Sequence, residues 1–249
     1  MKALYLAGGG PKNTAVKVLT EHLEGLGHRV TRDAQDPDGW DKTIRWGMSY
    51  HGEKPALNAG VNQWNKLGQM FQFVRNKVLC PYPYTDFEDY VNMDKGITVL
   101  ARNVQHQKGK DIVVCKTLQE VRKAAKTKDF FVKWIPTQTE YRVWVFQNKA
   151  LSIYEKVFKG EGEYEGFMRN HRFGFRFDTR DELLDNKELI KPAIAAVKAI
   201  DLDFGAVDVL LGKDGKYYVL EVNSMPHVDS AKRVSGIRLA REFSRWAEE

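Results

Sequence analysis

Residues Phe204–Val228, FGAVDVLLGKDGKYYVLEVNSMPHV, decide how the chain is read. Two apolar runs meet at Gly212-Lys213-Asp214-Gly215, which has the glycine and aspartate that tight hairpin turns need. A two-residue loop of Lys213 and Asp214 pairs Gly212 with Gly215 and sets Asp208 opposite Val219. Cross-strand partners share a face, as do residues two apart along a strand. Asp208, Glu221 and Asn223 are therefore expected on one side of the sheet. A polar strand face meeting solvent would explain any one of them. Three oxygen-bearing side chains on strands as apolar as VDVLL and YYVLEVN are harder to explain that way. Carboxylate and amide oxygens suit a hard divalent ion, and Mg²⁺ typically combines one or two carboxylates with phosphate oxygens and water. Two such ions can neutralise a triphosphate and align it for transfer.

Upstream of the hairpin, ITVLAR (97–102), IVVCK (112–116), DFFVKWI (129–135), EYRVWVF (140–146) and ALSIYEKVF (150–158) read as strands with mostly short connections. A helix is expected around Ile194–Ile200, with Pro192 near its start, and an amphipathic helix runs from the hairpin to the C-terminus. The chain opens with a strand at 2–7, three glycines at 8–10, and a helix carrying Val16, Leu19, Leu23 and Leu26, stopped by Gly27. Further strands are expected at Val30 and at 44–50. A second helix follows, with Val61, Trp64, Leu67, Phe71 and Val74 on one face, and then a strand at 78–80. Thr85 with Glu88, and Thr117 with Glu120, have capping-box spacing. The fold class is α+β, with an α/β lobe at the N-terminus.

Apolar and aromatic residues run along the whole chain, which argues against disorder. The 39 basic and 33 acidic residues leave a net charge of +6, which favours anionic partners such as nucleotides or nucleic acid. Those basic residues are dispersed rather than gathered in a tail. Cys80 and Cys115 suggest no disulfide framework, and the six histidines (His22, His28, His51, His106, His171, His227) show no ligand spacing. Gly8–Gly10 lacks the G-x-G-x-x-G spacing of a dinucleotide fingerprint. The first apolar run is too short for a signal peptide, and no run approaches the roughly 20 residues of a membrane span, so the expected address is the cytoplasm.

With an Asp on one strand and Glu221-Val222-Asn223-Ser224-Met225-Pro226 on the next, the sequence resembles the ATP-grasp superfamily. The Asp-to-Glu spacing is similar to that of RimK-like and D-alanine–D-alanine ligases, and residues 97–248 follow the superfamily's order. The resemblance implies that Asp208, Glu221 and Asn223 hold two Mg²⁺ ions, with Mn²⁺ an alternative, and that ATP is bound beside them. It implies a phosphate-covering strand and flap at 101–112, with Arg102 on the strand and Lys108, Gly109 and Lys110 in the flap. The hinge at Lys133, Trp134 and Ile135 would meet adenine through its backbone, and Glu140 would take a ribose hydroxyl. Arg142 would hold an acyl phosphate and Lys156 would meet the transferring phosphate. Without that resemblance, a surface salt-bridge pair would explain Glu140 and Arg142, and a solvated turn the Lys-Gly-Lys loop.

Three divisions follow from the resemblance: an N-terminal lobe at 1–95, a smaller nucleotide lobe at 96–136 and a larger metal-bearing lobe at 137–249. The N-terminal stretch is similar to RimK-like proteins of phage genomes, which makes Arg45, Asn58 and Lys66 candidates for an acceptor site, while Trp46 and Trp64 read as core. One departure stands out: D-alanine-type ligases carry an Arg two residues before the metal Asp, where this chain has Ala206. The implied reaction joins a carboxylate to an amine on small-molecule or peptide substrates through an acyl phosphate. Many relatives are dimers, so a homodimer is one arrangement the resemblance allows, and the sequence does not fix the oligomeric state. The rival readings are a kinase on the same scaffold, a nucleotide-binding protein without catalysis, and a basic nucleic-acid-binding protein.

Overall fold

The computed structural model describes residues 1–8, 13–32, 39–47, 52–60, 64–86, 98–104, 112–162, 164, 166–167, 169–228 and 233–249. Its described strands form three sheets. The first is parallel, in the order β2-β1-β3-β4, from β1 (Ala3–Ala7), β2 (Arg29–Thr31), β3 (Lys42–Arg45) and β4 (Ala56–Leu57). Helix α1 (Thr14–Gly25) starts where Asn13 accepts from the Ala15 and Val16 N–H groups, and the chain turns at Gly27 with φ +88°. Its Val16, Leu19 and Leu23 are buried, as their spacing requires.

The second sheet is antiparallel, in the order β5-β8-β6-β7, from β5 (Pro83–Tyr84), β6 (Val99–Arg102), β7 (Val113–Cys115) and β8 (Phe130–Lys133). Helix α3 (Leu118–Ala124) opens with the Thr117–Glu120 capping box and lays Val121 and Ala124 on this sheet. The Thr85–Glu88 box lies partly outside the described residues.

The third sheet carries the hairpin. Its order is β11-β10-β9-β12-β13, antiparallel throughout, from β9 (Thr137–Phe146), β10 (Lys149–Phe158), β11 (Phe175–Thr179), β12 (Phe204–Gly212) and β13 (Tyr217–Asn223). One face packs Val143, Val145, Ile153, Val207, Val209, Val219 and Val222 against helix α4 (Lys187–Ala199). The other face packs Trp144, Tyr154, Phe204 and Ala206 against the first sheet, α1 and the C-terminal helix α5 (Arg233–Glu248). Trp46 is buried as expected and stacks on Phe204, with ring centroids 5.7 Å apart. Such a pair adds about 0.5–1.5 kcal/mol beyond its buried area.

Several expectations are corrected. The hairpin loop has three residues, not two: Gly212 N–H donates to Lys216 O, Gly215 N–H to Gly212 O, and Gly215 takes the left-handed φ of +78°. Leu211 therefore faces Tyr217 and Val209 faces Val219. That register alone would set Asp208 against Leu220, with Glu221 on the far side of the sheet. A bulge at Leu220 supplies the missing residue, and Asp208 faces Glu221 directly, not Val219. The burial of Val219 and Val222 in one core, three residues apart on a strand, records the same bulge.

Helix α2 (Lys66–Arg75) begins at Lys66 because Asn65 caps it, its side chain accepting from Gly68 N–H at 2.8 Å. Its buried face is Met70 and Phe73, whereas Trp64, Phe71 and Val74 are exposed, so Trp64 is not core. Residues 78–80 form no strand. Helix α4 starts at Lys187, under an Asn186 cap, so Pro192 lies inside it rather than at its start. Cys80 and Cys115 are buried and free. Among the described residues no helix is long and apolar enough to cross a membrane.

Candidate active site

The site lies on the third sheet, on the face shared with Trp144 and Ala206. Along this face each step of two residues changes the chemistry. One rung is Ser152, Trp144, Ala206 and Asn223 across β10, β9, β12 and β13; the next is Tyr154, Arg142, Asp208 and Glu221. Beyond that come Lys156 on β10 and Glu140 on β9.

Arg142 grips Asp208 with two bonds, Nε to Oδ1 at 2.7 Å and Nη2 to Oδ2 at 2.9 Å, the fork geometry that makes arginine–carboxylate pairs strong. Lys156 Nζ donates to Glu140 Oε2 at 2.6 Å and stands 3.8 Å from Asp208 Oδ2. The Phe177 ring lies under both cations, 4.8 Å from Arg142 and 6.0 Å from Lys156. At the sheet edge, Lys66 Nζ is 2.7 Å from Glu221 Oε2. Burial alone would push the Asp208 carboxyl upward, but Arg142, Lys156 and then Lys66 outweigh it and bring it down to about 2. Burial works against the charges of Arg142 and Lys156 too, and their carboxylate partners raise both pKa values above the ordinary. Arg102, on the second sheet, is lowered by burial and partly restored by the charge of Glu221. The field of Glu221 thus reaches the facing sheet.

Asn223 Nδ2 donates weakly to Ala206 O and to Glu221 Oε1, both at 3.4 Å, which directs its carbonyl oxygen away from them. Asp208, Glu221 and Asn223 therefore present only oxygen donors, and each carboxylate has lone pairs beyond those its present partner uses. That chemistry fits a hard divalent ion. Among the described residues no group of three or more His, Cys, Asp or Glu gathers to offer another such place.

The remaining expected residues distribute as follows. Lys133 ends β8 with an exposed side chain, and Trp134 and Ile135 are half-buried in the link to β9. Trp134 N–H donates to Thr98 O, and Ile135 O accepts from the Thr137 hydroxyl. The hairpin tip closes on this link, with Lys213 N–H donating to Pro136 O at 2.7 Å. Lys108, Gly109 and Lys110 lie outside the described residues. The three acceptor candidates are not brought together. Asn58 is a buried clasp: its Oδ1 accepts from the N–H groups of Asp203 and Phe204, and its Nδ2 donates to Phe204 O. Arg45 is buried and donates to Ala59 O. Only Lys66 reaches the charged row. Ala206 is fully buried beside Trp144 in the core cluster, so this position has no room for the Arg of D-alanine-type ligases. Two participants escaped the sequence reading, Phe177 and Gln69, the latter bonded to the backbone of Val222.

A four-stranded and a five-stranded sheet, joined through 134–136 and flanking a row of oxygen donors and cations, define an ATP-grasp protein. Residues 74–247 match the RimK-like ATP-grasp domain. The chain belongs to that family, one of ATP-dependent ligases. No curated protein matches the sequence. Among solved structures, the fold is similar to that of the ATP-grasp ligase PsnB complexed with minimal precursor, Mg and ADP, with a TM-score of 0.65, 14% identity and 96% of each chain covered. The macrocyclase MdnC bound with precursor peptide MdnA, from Microcystis aeruginosa MRC, is similar at a TM-score of 0.66 and 13% identity, over 96% of this chain and 98% of that one. D-alanine–D-alanine ligase from Bacillus anthracis, complexed with ATP, is similar at a TM-score of 0.58 and 14% identity, over 99% of this chain and 98% of that one. At these identities the likeness is one of fold.

Proposed function

We propose that this chain joins a carboxylate to an amine with cleavage of ATP to ADP and phosphate. The observation that carries the reading is the charged row Lys156–Glu140–Arg142–Asp208–Glu221–Lys66, on one face of the sheet and extending to its edge. Asp208, Glu221 and Asn223 would hold Mg²⁺, which when bound neutralises the phosphate charge. In the first step a substrate carboxylate oxygen attacks the γ-phosphorus, the bond to the β-phosphate oxygen breaks, and ADP leaves. Lys156 and Arg142 hold the phosphoryl oxygens as charge moves across them, and Arg102 contacts phosphate from the facing sheet. In the second step the amine nitrogen attacks the acyl carbon, the carbon–oxygen bond to phosphate breaks, and the amine's proton leaves with phosphate or water. Rate then comes from positioning and charge stabilisation.

With alanine at 206 in place of that arginine, a cation of the row such as Arg142 or Lys156 would meet the substrate carboxylate. Two of the similar structures hold precursor peptides, so a peptide side-chain carboxylate is the first substrate class to try. The test is ADP release by the purified chain over a panel of acidic peptides and amines. Release that requires both partners, with a product lighter than their sum by one water, supports the reading. Release that ignores the amine and leaves a phosphorylated product would replace ligation with phosphoryl transfer.

A further inference from the structure

Strand β13 is the edge of the third sheet, so among the described residues the backbone groups it turns away from β12 have no strand to pair with. At Val222 the partner is a side chain. Val222 N–H donates to Gln69 Oε1 at 2.9 Å, and Gln69 Nε2 donates to Val222 O at 3.1 Å. A side-chain amide offers the same donor and acceptor as a peptide unit, so Gln69 adds one rung to the sheet. Val222 lies between Glu221 and Asn223, and both of its main-chain hydrogen bonds to the outside are made to this one residue.

Further contacts along the same edge give it weight. The bulge at Leu220 interrupts the ladder to β12 next to Glu221, so 221–223 need a second hold to keep their aim. Lys66, three residues before Gln69 and therefore on the same helical face, ends on Glu221, so α2 touches both the side chain and the backbone of this segment. The helix is itself anchored, by the Asn65 cap at its start and by buried Met70 and Phe73. Val219 N–H also donates to Leu79 O, so the stretch that follows α2 covers the same edge. Gln69 and Lys66 precede residue 74, where the match to the family begins, so this hold lies outside the matched segment.

We infer that Gln69 is a positioning residue: by fixing Val222 it sets the spacing and direction of the Glu221 and Asn223 oxygens toward Mg²⁺. The inference rests on the reading of Asp208, Glu221 and Asn223 as the metal-binding trio. Groups that orient metal-binding side chains commonly cost 10–100-fold in metal affinity when removed, and a helix that merely leaned on the sheet would carry no such cost.

The experiment is calorimetric titration of ADP across a series of Mg²⁺ concentrations, at a temperature where every variant is folded. It compares wild type with Gln69→Met, which keeps the length of the arm and loses both bonds. ADP affinity without metal should be unchanged in the variant, and the Mg²⁺ needed for half of the metal effect should rise about tenfold. Gln69→Asn, which keeps both groups on a shorter arm, should move the same way by less, and it decides the question if Gln69→Met does not fold. An unchanged Mg²⁺ requirement in a folded variant overturns the positioning role and leaves the ligase reading standing. Wild type whose ADP binding ignores Mg²⁺ overturns both.

Discussion

Two neighbouring rungs of one sheet face meet opposite fates. Trp144 and Ala206 lie under the first sheet and α5 in an apolar core. Two residues along the same strands, Asp208 is buried, Arg142 is half-buried, and the two form an ion pair. The backbone is continuous between them, so the difference comes from partners. Ala206 needs only packing, and the Trp144 indole N–H is buried without a hydrogen-bond partner among the described residues. A buried charge is tolerable only where an opposite charge meets it with good geometry, and here Arg142, Lys156 and Lys66 are spread along the row so that each carboxylate has one. The packed Trp144–Ala206 pair gives the charged rung a floor that cannot shift easily, which is the preorganisation that charge stabilisation depends on.

The largest break in that contrast should come from Arg142→Met. It leaves the Asp208 carboxylate with Lys156 at 3.8 Å and no hydrogen-bonded cation, and loss of one partner of a buried pair costs about 3–5 kcal/mol. The double variant Arg142→Met/Asp208→Leu should recover much of that loss, because no lone charge remains. Denaturant unfolding of the two, side by side, checks it. Equal losses would mean that Arg142 matters for its bulk rather than its charge.

A smaller effect should appear in acid. The Asp208 carboxyl is held at about 2 against an ordinary 3.8. A lowered folded-state value contributes stability that is fully present above the unfolded value and is lost as pH falls through the folded one. The contribution is about 2 kcal/mol and should disappear between roughly pH 4 and pH 2. Urea midpoints measured across that window should show it in wild type and not in Asp208→Asn.

Smallest is Lys66→Met at the solvent end of the row. The Lys66–Glu221 pair is partly exposed, so its loss should change stability by less than about 1 kcal/mol. Removal of a cation from Glu221 should nevertheless lower the Mg²⁺ concentration needed for nucleotide binding, opposite in sign to Gln69→Met. A higher requirement would instead make Lys66 a phosphate contact.

Much of this architecture could be read from residue patterns. The Asp208–Glu221–Asn223 face followed from strand alternation, and the Thr117–Glu120 cap from its spacing. The face was right although its register was not. A loop one residue longer than expected would have turned Glu221 away, and the bulge at Leu220 turned it back. Both depend on local backbone choices that LGKDGK and YYVLEV leave open. The buried face of α2 is not the one expected, because Trp64 precedes the Asn65 cap and Met70 and Phe73, not Phe71 and Val74, meet the core. Asn58 and Gln69 were beyond reach, since each acts on strands about 150 residues away and only the folded chain sets those distances.

The most direct test of the central claim is calorimetric titration of ATP with and without Mg²⁺, on wild type and on the Glu221→Gln/Asn223→Ala variant. Wild type should bind ATP tightly only with Mg²⁺ present, and the folded variant should lose at least about a hundredfold of that metal-dependent affinity. Metal-dependent binding that survives intact in the folded variant would contradict the assignment of Asp208, Glu221 and Asn223. So would wild-type binding that takes no notice of Mg²⁺.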